Sequence, residues 1–160
     1  MMTITYTPIG IIHTPFDNKE GMPIQSAGAI GIKGTIEIKE EFTDGLEDLD
    51  GYSHIILIYS FHKSNGFNLK VKPFLSDKIH GVFSTRAPER PNAIGISAVK
   101  LLSIKKNIIE IENVDVLDGT PLLDIKPYIP EFDIHKVDKY GWLENKQFNI
   151  NETKSDNRFK

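Results

Sequence analysis

Residues 83–97 read FSTRAPERPNAIGIS, which sets two guanidinium groups on a loop stiffened by two prolines. Pro88 and Pro91 fix φ and push Ala87 and Arg90 toward extended backbone, so the loop loses little entropy when it holds a ligand. Arg86 and Arg90 offer planar forks suited to carboxylate or phosphate. Asn92 can donate and accept, and Gly95 lets a backbone approach closely. Rigid cationic loops are a recurrent anion-binding device. The plainer alternative is a stiff turn whose arginines pair with surface acids.

Two further stretches carry chemistry-bearing side chains. In VLDGTPLLDIKPY, residues 116–128, Asp118-Gly119 is a turn signal and Thr120-Pro121 leads into a strand. A hairpin turn accounts for DGTP in full, although a carboxylate held still on a tight turn also suits a ribose diol or an ammonium. Phe61-His62-Lys63 closes a long apolar segment, where core geometry meets solvent, which makes His62 the histidine best placed for function. His54, inside that segment, reads as a satisfied core residue. His13, His80 and His135 have no metal-ligand spacing, so no metal site is expected. Gly28, Gly31 and Gly34 do not form GxGxxG and open no helix, and no phosphate-binding P-loop or GxSxG elbow occurs. A nucleotide-like cofactor would not be held in the Rossmann manner.

The elements that must position these groups are strands. AIGIKGTIEIKE alternates from Ile32 to Ile38, with Lys33, Thr35 and Glu37 on one face. YSHIILIYSFH is apolar on both faces and reads as a central, doubly covered strand. ISAVKLLSI, the turn KKN and IIEIENVDV form a hairpin, LLDIKPYI is one more strand, and Ile4, Tyr6 and Ile9 to Ile12 open the chain as another. TDGLEDLDG is the best helix candidate, with capping-box spacing between Asp44 and Glu47. The expected fold is all-β with minor helix, a barrel or sandwich. One domain is expected over residues 1–143, followed by a polar tail over 144–160 that is mobile or docked on a partner.

Composition narrows the function classes. The chain has 160 residues, enough for one domain with a real core. The absence of cysteine excludes disulfides, thiolate metal sites and cysteine nucleophiles. The first ten residues do not have the pattern of a signal peptide, and no apolar run nears the ~18 residues of a membrane span, so a soluble cytoplasmic protein is expected. The net charge of −3 hides a segregation: His62 to Lys106 holds seven lysines, two arginines and only two acids, net +7, leaving −10 elsewhere. Such a basic segment suggests a local anionic partner, or lysines that merely flank hairpins on solvated edges.

Taken together, FSTRAPERPNAIGIS, the preceding GYSHIILIYSFH, the following DGTPLLDIKPY and the early PIGIIHTPF with Pro23-Ile24-Gln25 resemble the TsaA-like (YaeB-like, TrmO) methyltransferases. The resemblance runs from about Ile9 to Tyr128, with four motifs in order. It implies an S-adenosylmethionine-dependent methyltransferase on a small, non-Rossmann β-barrel, acting as a homodimer. The implied acceptor is N6 of N6-threonylcarbamoyladenosine next to the anticodon of tRNA. Carried over by motif, cofactor contacts fall on Ser26, Ala27, Gly28, His62, Lys63, Arg86, Ile96, Asp118, Gly119, Thr120 and Pro121. Arg90, Asn92, Lys126 and Tyr128 match positions assigned to substrate, and Asp118 or His62 would accept the proton that N6 loses. The family loop usually reads RPNPIG, and Ala93 replaces its second proline here. Alternative readings are a non-catalytic RNA-binding barrel and a methyltransferase acting on a small molecule or another RNA.

Overall fold

A computed structural model describes residues 2–144 and 152–159. Six strands close a barrel in the order β1-β2-β7-β6-β3-β8, with every neighbouring pair antiparallel. The barrel strands are β1 (Gly10–His13), β2 (Lys33–Ile38), β3 (His54–Ser60), β6 (Ile94–Lys105), β7 (Ile108–Glu112) and β8 (Thr120–Pro127). Closure gives each barrel strand two neighbours, although β6 pairs with β3 over Ile94–Lys100 and with β7 only from Lys100 onward. A two-stranded ribbon, β4 (Lys70–Val71) with β5 (His80–Gly81), stands apart.

The period-two pattern decides what enters the barrel. Ile36 and Ile38 from β2, Ile55, Leu57 and Tyr59 from β3, Val99 from β6, and Ile109 and Ile111 from β7 form the buried interior. Each fully buried Ile or Leu contributes about 1.5–3 kcal/mol by leaving water. The opposite face of β3 is only half-buried, so this strand is not covered on both sides within one chain. His54 lies on that outer face, with Nδ1 3.0 Å from the Ser53 hydroxyl, rather than in the core.

Other departures from the sequence reading have local causes. Residues 2–9 form no strand, and Met2, Ile4 and Tyr6 are exposed; pairing begins at Gly10, where an added Cβ would lie 2.4 Å from the Glu37 carbonyl oxygen. The segment TDGLEDLDG forms 3-10 turns, Glu40–Leu46 and Leu49–Gly51, instead of an α-helix. Asp48 between them adopts a left-handed φ of 62°, which breaks any continuous helix, and no capping-box bond forms. The only α-helical turn among the described residues is α1 (Pro130–Asp133).

A second, smaller cluster lies outside the barrel. Val71, Val82, Ala87 and Phe159 pack together, with Phe74 beside them. It brings the ribbon, the proline-stiffened loop and the end of the chain into one lobe. Phe74 and Phe159 meet edge to face at 5.1 Å, and Arg158 donates to the Pro73 carbonyl at 2.9 Å. Residues 154 and 155 run along 21–23: the Gly21 amide donates to the Ser155 carbonyl, the Ser155 amide donates to the Met22 carbonyl, and Lys154 bridges to Pro23. The tail expectation over 144–160 falls partly on 145–151, which lie outside the described residues.

Candidate functional site

A cavity of about 280 Å³ opens between one end of the barrel and this smaller lobe. The end of β3 and the start of β6 form one wall, through Tyr59, Phe61, Gly95 and Ile96. Arg86 and Pro88 face them from the loop, and Asp115, before β8, and Thr120, its first residue, close the floor. Three structural causes bring these groups together. A register shift between Ile58 and Tyr59 in the β3–β8 pairing leaves Leu123 as an extra residue in β8 and bends that strand near the cavity. The absence of a side chain at Gly95 admits the rings of β3, since a Cβ there would meet Tyr59 at 2.3 Å and Phe61 at 2.8 Å. What approaches Gly95 is therefore a pair of aromatic rings, packed edge to face at 5.5 Å, rather than backbone.

The third cause is a buried polar chain. Tyr59 Oη lies 3.0 Å from Ser97 Oγ, and Ser97 Oγ donates to Asp115 Oδ1 at 2.6 Å. Burial pushes the Asp115 carboxyl up to about 6, against the opposing pull of the Ser97 hydrogen bond, its own backbone, the Arg86 charge and the Ser26 backbone. Burial, with the Asp115 charge nearby, also raises the Tyr59 phenol well above its ordinary value, so it stays protonated and available as a donor. His62 is held below its ordinary value by burial and by the neighbouring Lys63, so its imidazole is neutral near pH 7.

The loop arginines divide their roles. Arg86 is exposed at the cavity, and its Nη1 donates to Gln25 Oε1 at 2.8 Å. Arg90 also borders the cavity, but its Nη1 donates to the Thr85 carbonyl at 2.8 Å and reaches those of Val82 and Ala87 at 3.2 and 3.3 Å. Its guanidinium therefore braces the loop, with Phe83 6.0 Å from it. Asn92 is exposed beyond the turn, with its carbonyl accepting from the Ile94 amide.

The other predicted positions separate into three groups. Ser26, Ala27 and Gly28 form a 3-10 turn directly after Gln25, against the cavity wall; His62, Lys63, Ile96 and Thr120 border the cavity itself. Lys63 Nζ donates to the Asp17 carbonyl at 3.3 Å, which ties the end of β3 to the N-terminal loop. Asp118 turns away from the cavity: its Oδ1 accepts from the Thr14 amide at 3.0 Å and lies 3.5 Å from His13 Nδ1. Gly119 takes a φ of 75° to make that turn, and Pro121 pairs with Ile11. Tyr128 lies at the opposite end of β3, 6.3 Å from the His54 ring, and Lys126 sits opposite Ile56 on that strand, paired with Asp124 at 2.8 Å.

Sequence reasoning passed over Asp115, Gln25 and the tail. Ser97 was the available signal for Asp115: a polar residue on the inward face of β6, opposite Leu57 and next to Val99, needs a buried partner. Nothing in the polar segment near the C-terminus signals that Ser155 and Asp156 border the cavity. Part of the positive segregation is neutralised on the barrel, since Lys100 and Lys105 face Glu112 and Glu110 across the β6–β7 pairing at 3.6 and 3.9 Å. Among the described residues there is no cluster of three or more His, Asp or Glu able to hold a metal ion, and no helix long and apolar enough to cross a membrane.

The comparisons agree with this architecture. A protein of Pyrococcus abyssi described as a probable S-adenosyl-L-methionine-binding protein is 51% identical over 158 residues, 99% of this chain and 86% of the relative. The tRNA (adenine(37)-N6)-methyltransferase of Mus musculus is 38% identical over 133 residues, 79% of this chain and 31% of the relative. The crystal structure of TrmO from Pseudomonas aeruginosa superposes with a TM-score of 0.74 at 36% identity, covering 88% of this chain and 63% of that one. The chain thus spans most of one relative and less than two thirds of the others. With residues 11–134, most of the chain, matching its model, the chain belongs to the tRNA-methyltransferase O N-terminal domain family.

Proposed function

We propose that this chain is an S-adenosylmethionine-dependent methyltransferase that methylates N6 of adenine in tRNA, with N6-threonylcarbamoyladenosine next to the anticodon as its acceptor. The observation that carries this reading is the cavity itself, where the exposed Arg86 faces the Tyr59–Ser97–Asp115 chain across an apolar wall. Its residues suit the methyl donor, which has a carboxylate, an ammonium, a diol and a flat base. Arg86 suits the carboxylate; Phe61 and Ile96 suit the base; the 25–28 turn, His62, Lys63 and Thr120 supply polar contacts at the rim. When bound, the donor supplies a methyl group on positively charged sulfur, which needs no metal for activation. The chain's own residues align the reacting atoms, and for a displacement in line alignment supplies much of the rate.

The homodimer belongs to the same reading. On the outer face of the barrel Ile94, Ile96 and Ala98 are exposed beside the half-buried Ile56 and Ile58, with Ile58 opposite Ile96 and Ile56 opposite Ala98. A second copy seated there would cover this apolar stripe and approach the cavity, since Ile94 and Ile96 also border it. The cellular location that fits a tRNA substrate is the cytoplasm.

Binding of S-adenosylmethionine in the presence of EDTA, followed by calorimetry, tests the donor half of this reading. Binding with one site per chain, lost in Arg86→Ala, is expected; no heat at millimolar donor would refute it. Similar donor binding with no label passing to tRNA would favour a small-molecule acceptor instead.

A further inference from the structure

We propose that Asp115 is the proton acceptor of the methyl transfer, positioned by Ser97 and Tyr59 at the barrel end of the cavity. This rests on the methyltransferase reading above and identifies the group that completes its chemistry. As the adenine N6 nitrogen forms a bond to the methyl carbon, the carbon–sulfur bond breaks and its electron pair leaves on sulfur, giving a neutral thioether. The N6–H bond then breaks, its electron pair stays on nitrogen, and the proton passes to the Asp115 carboxylate and on to solvent.

The geometry separates Asp115 from the other acids and bases nearby. Asp118, three residues on, points its carboxylate at the Thr14 amide and His13, outside the cavity lining. Asp156 borders the cavity from the tail, but its carboxylate is chelated by Arg158, with Nε and Nη2 at 2.6–3.0 Å, and this pairing holds its carboxyl below the ordinary range. Asp115 alone among these three is fixed by a hydroxyl from inside the barrel while bordering the cavity. A partly buried carboxylate with a raised pKa is ionised near neutral pH yet basic enough to take a proton.

The charged and titratable groups facing Asp115 come from every neighbouring element. Tyr59 reaches it through Ser97 from β3 and β6, Arg86 faces it from the loop, and the Ser26 backbone from the 3-10 turn. Lys19, His62, Lys63 and Arg90 border the same cavity. His62, held below its ordinary value, also titrates on the acid side of neutral, so the test must separate the two.

The decisive experiment measures single-turnover methylation of tRNA against pH for the wild type, Asp115→Asn, Ser97→Ala and His62→Gln, with donor affinity measured for each. In the wild type the rate falls as pH drops through about 6, where Asp115 becomes protonated. Asp115→Asn should lower the rate constant by about 100- to 10,000-fold, with donor affinity within about threefold and no inflection near that pH. Ser97→Ala removes a hydrogen bond that favours the ionised carboxylate, so its inflection should move upward, while His62→Gln should keep the inflection. An Asp115→Asn enzyme within fivefold of wild type, or an inflection that persists in it and vanishes in His62→Gln, overturns the proposal and leaves the methyltransferase reading standing. An unchanged inflection in Ser97→Ala also counts against it. A wild-type chain that binds donor but methylates no tRNA under any condition removes the parent reading and the proposal together.

Discussion

The two ends of the barrel are built from the same strands and carry different chemistry. At the end where β3 begins, polar groups meet on the outside, His54 beside Tyr128 and Ser53, and the exposed Lys126–Asp124 pair follows opposite the middle of the strand. At the end where β3 finishes, polar groups turn inward, and Tyr59, Ser97 and Asp115 form a chain under the cavity. Exposed pairs of the first kind gain little, because water screens them and already solvates both partners. The inward chain costs desolvation and is kept by its own hydrogen bonds. A polar group on the inward face of a small barrel thus needs a buried partner, whereas charge displayed outside needs none.

Substitutions at the cavity end should break this contrast in a graded way. After Asp115, the largest loss of activity is expected at Arg86: Arg86→Ala should lower methylation by about 100-fold, as loss of a charge-assisted contact would. Its folding stability should stay within about 0.5 kcal/mol, because the side chain is exposed. Arg90→Ala should show the reverse split. Three loop carbonyls lose their shared donor, so stability should fall by about 2 kcal/mol in urea unfolding. Equal stability losses in the two variants would show that the arginines have not divided their roles.

Gly95→Ala should cost about 1–3 kcal/mol, since its Cβ would overlap the Tyr59 ring at 2.3 Å and force the buried chain to move. Retention of wild-type stability there would mean that Tyr59 is free to rotate, and the inward chain would not be fixed.

The smallest effect carries the most informative sign. The Asp115 carboxyl is raised from 3.8 to about 6, so between these values the folded chain holds a proton that the unfolded chain has lost. Its contribution to stability therefore falls as pH rises from about 4 to about 6, and the penalty is complete above that. Asp115→Asn should be more stable than wild type by about 1–2 kcal/mol at pH 7.5 and equal to it at pH 4. Chemical denaturation at the two pH values checks this. A variant less stable than wild type at pH 7.5 would make Asp115 a structural residue.

Much of this was legible in the residues. The apolar run around Ile55, Leu57 and Tyr59 announced a strand, though not that only one of its faces would be buried, and KKN between two apolar runs announced the β6–β7 hairpin, where Lys106 and Asn107 make the turn. The proline-stiffened loop was legible as a rigid cationic element, though not that Arg90 would spend its donors on that loop's own carbonyls. Spacing along the chain also does not tell which way a side chain turns outside a strand. Asp115 and Asp118 lie three residues apart, yet the left-handed Gly119 turn sends one carboxylate to Thr14 and leaves the other under the cavity. Long-range docking was hidden for a similar reason: nothing local in Phe159 signals that it packs against Val71 and Val82.

The central claim is that this cavity transfers a methyl group to tRNA. Its most direct test is mass spectrometry of nucleosides from tRNA that carries N6-threonylcarbamoyladenosine, incubated with the purified chain and isotopically labelled S-adenosylmethionine. One labelled methyl group on N6 of that nucleoside is expected with the wild type and none with Arg86→Ala. Unmethylated nucleosides despite saturating bound donor, or label on a different base, would contradict it.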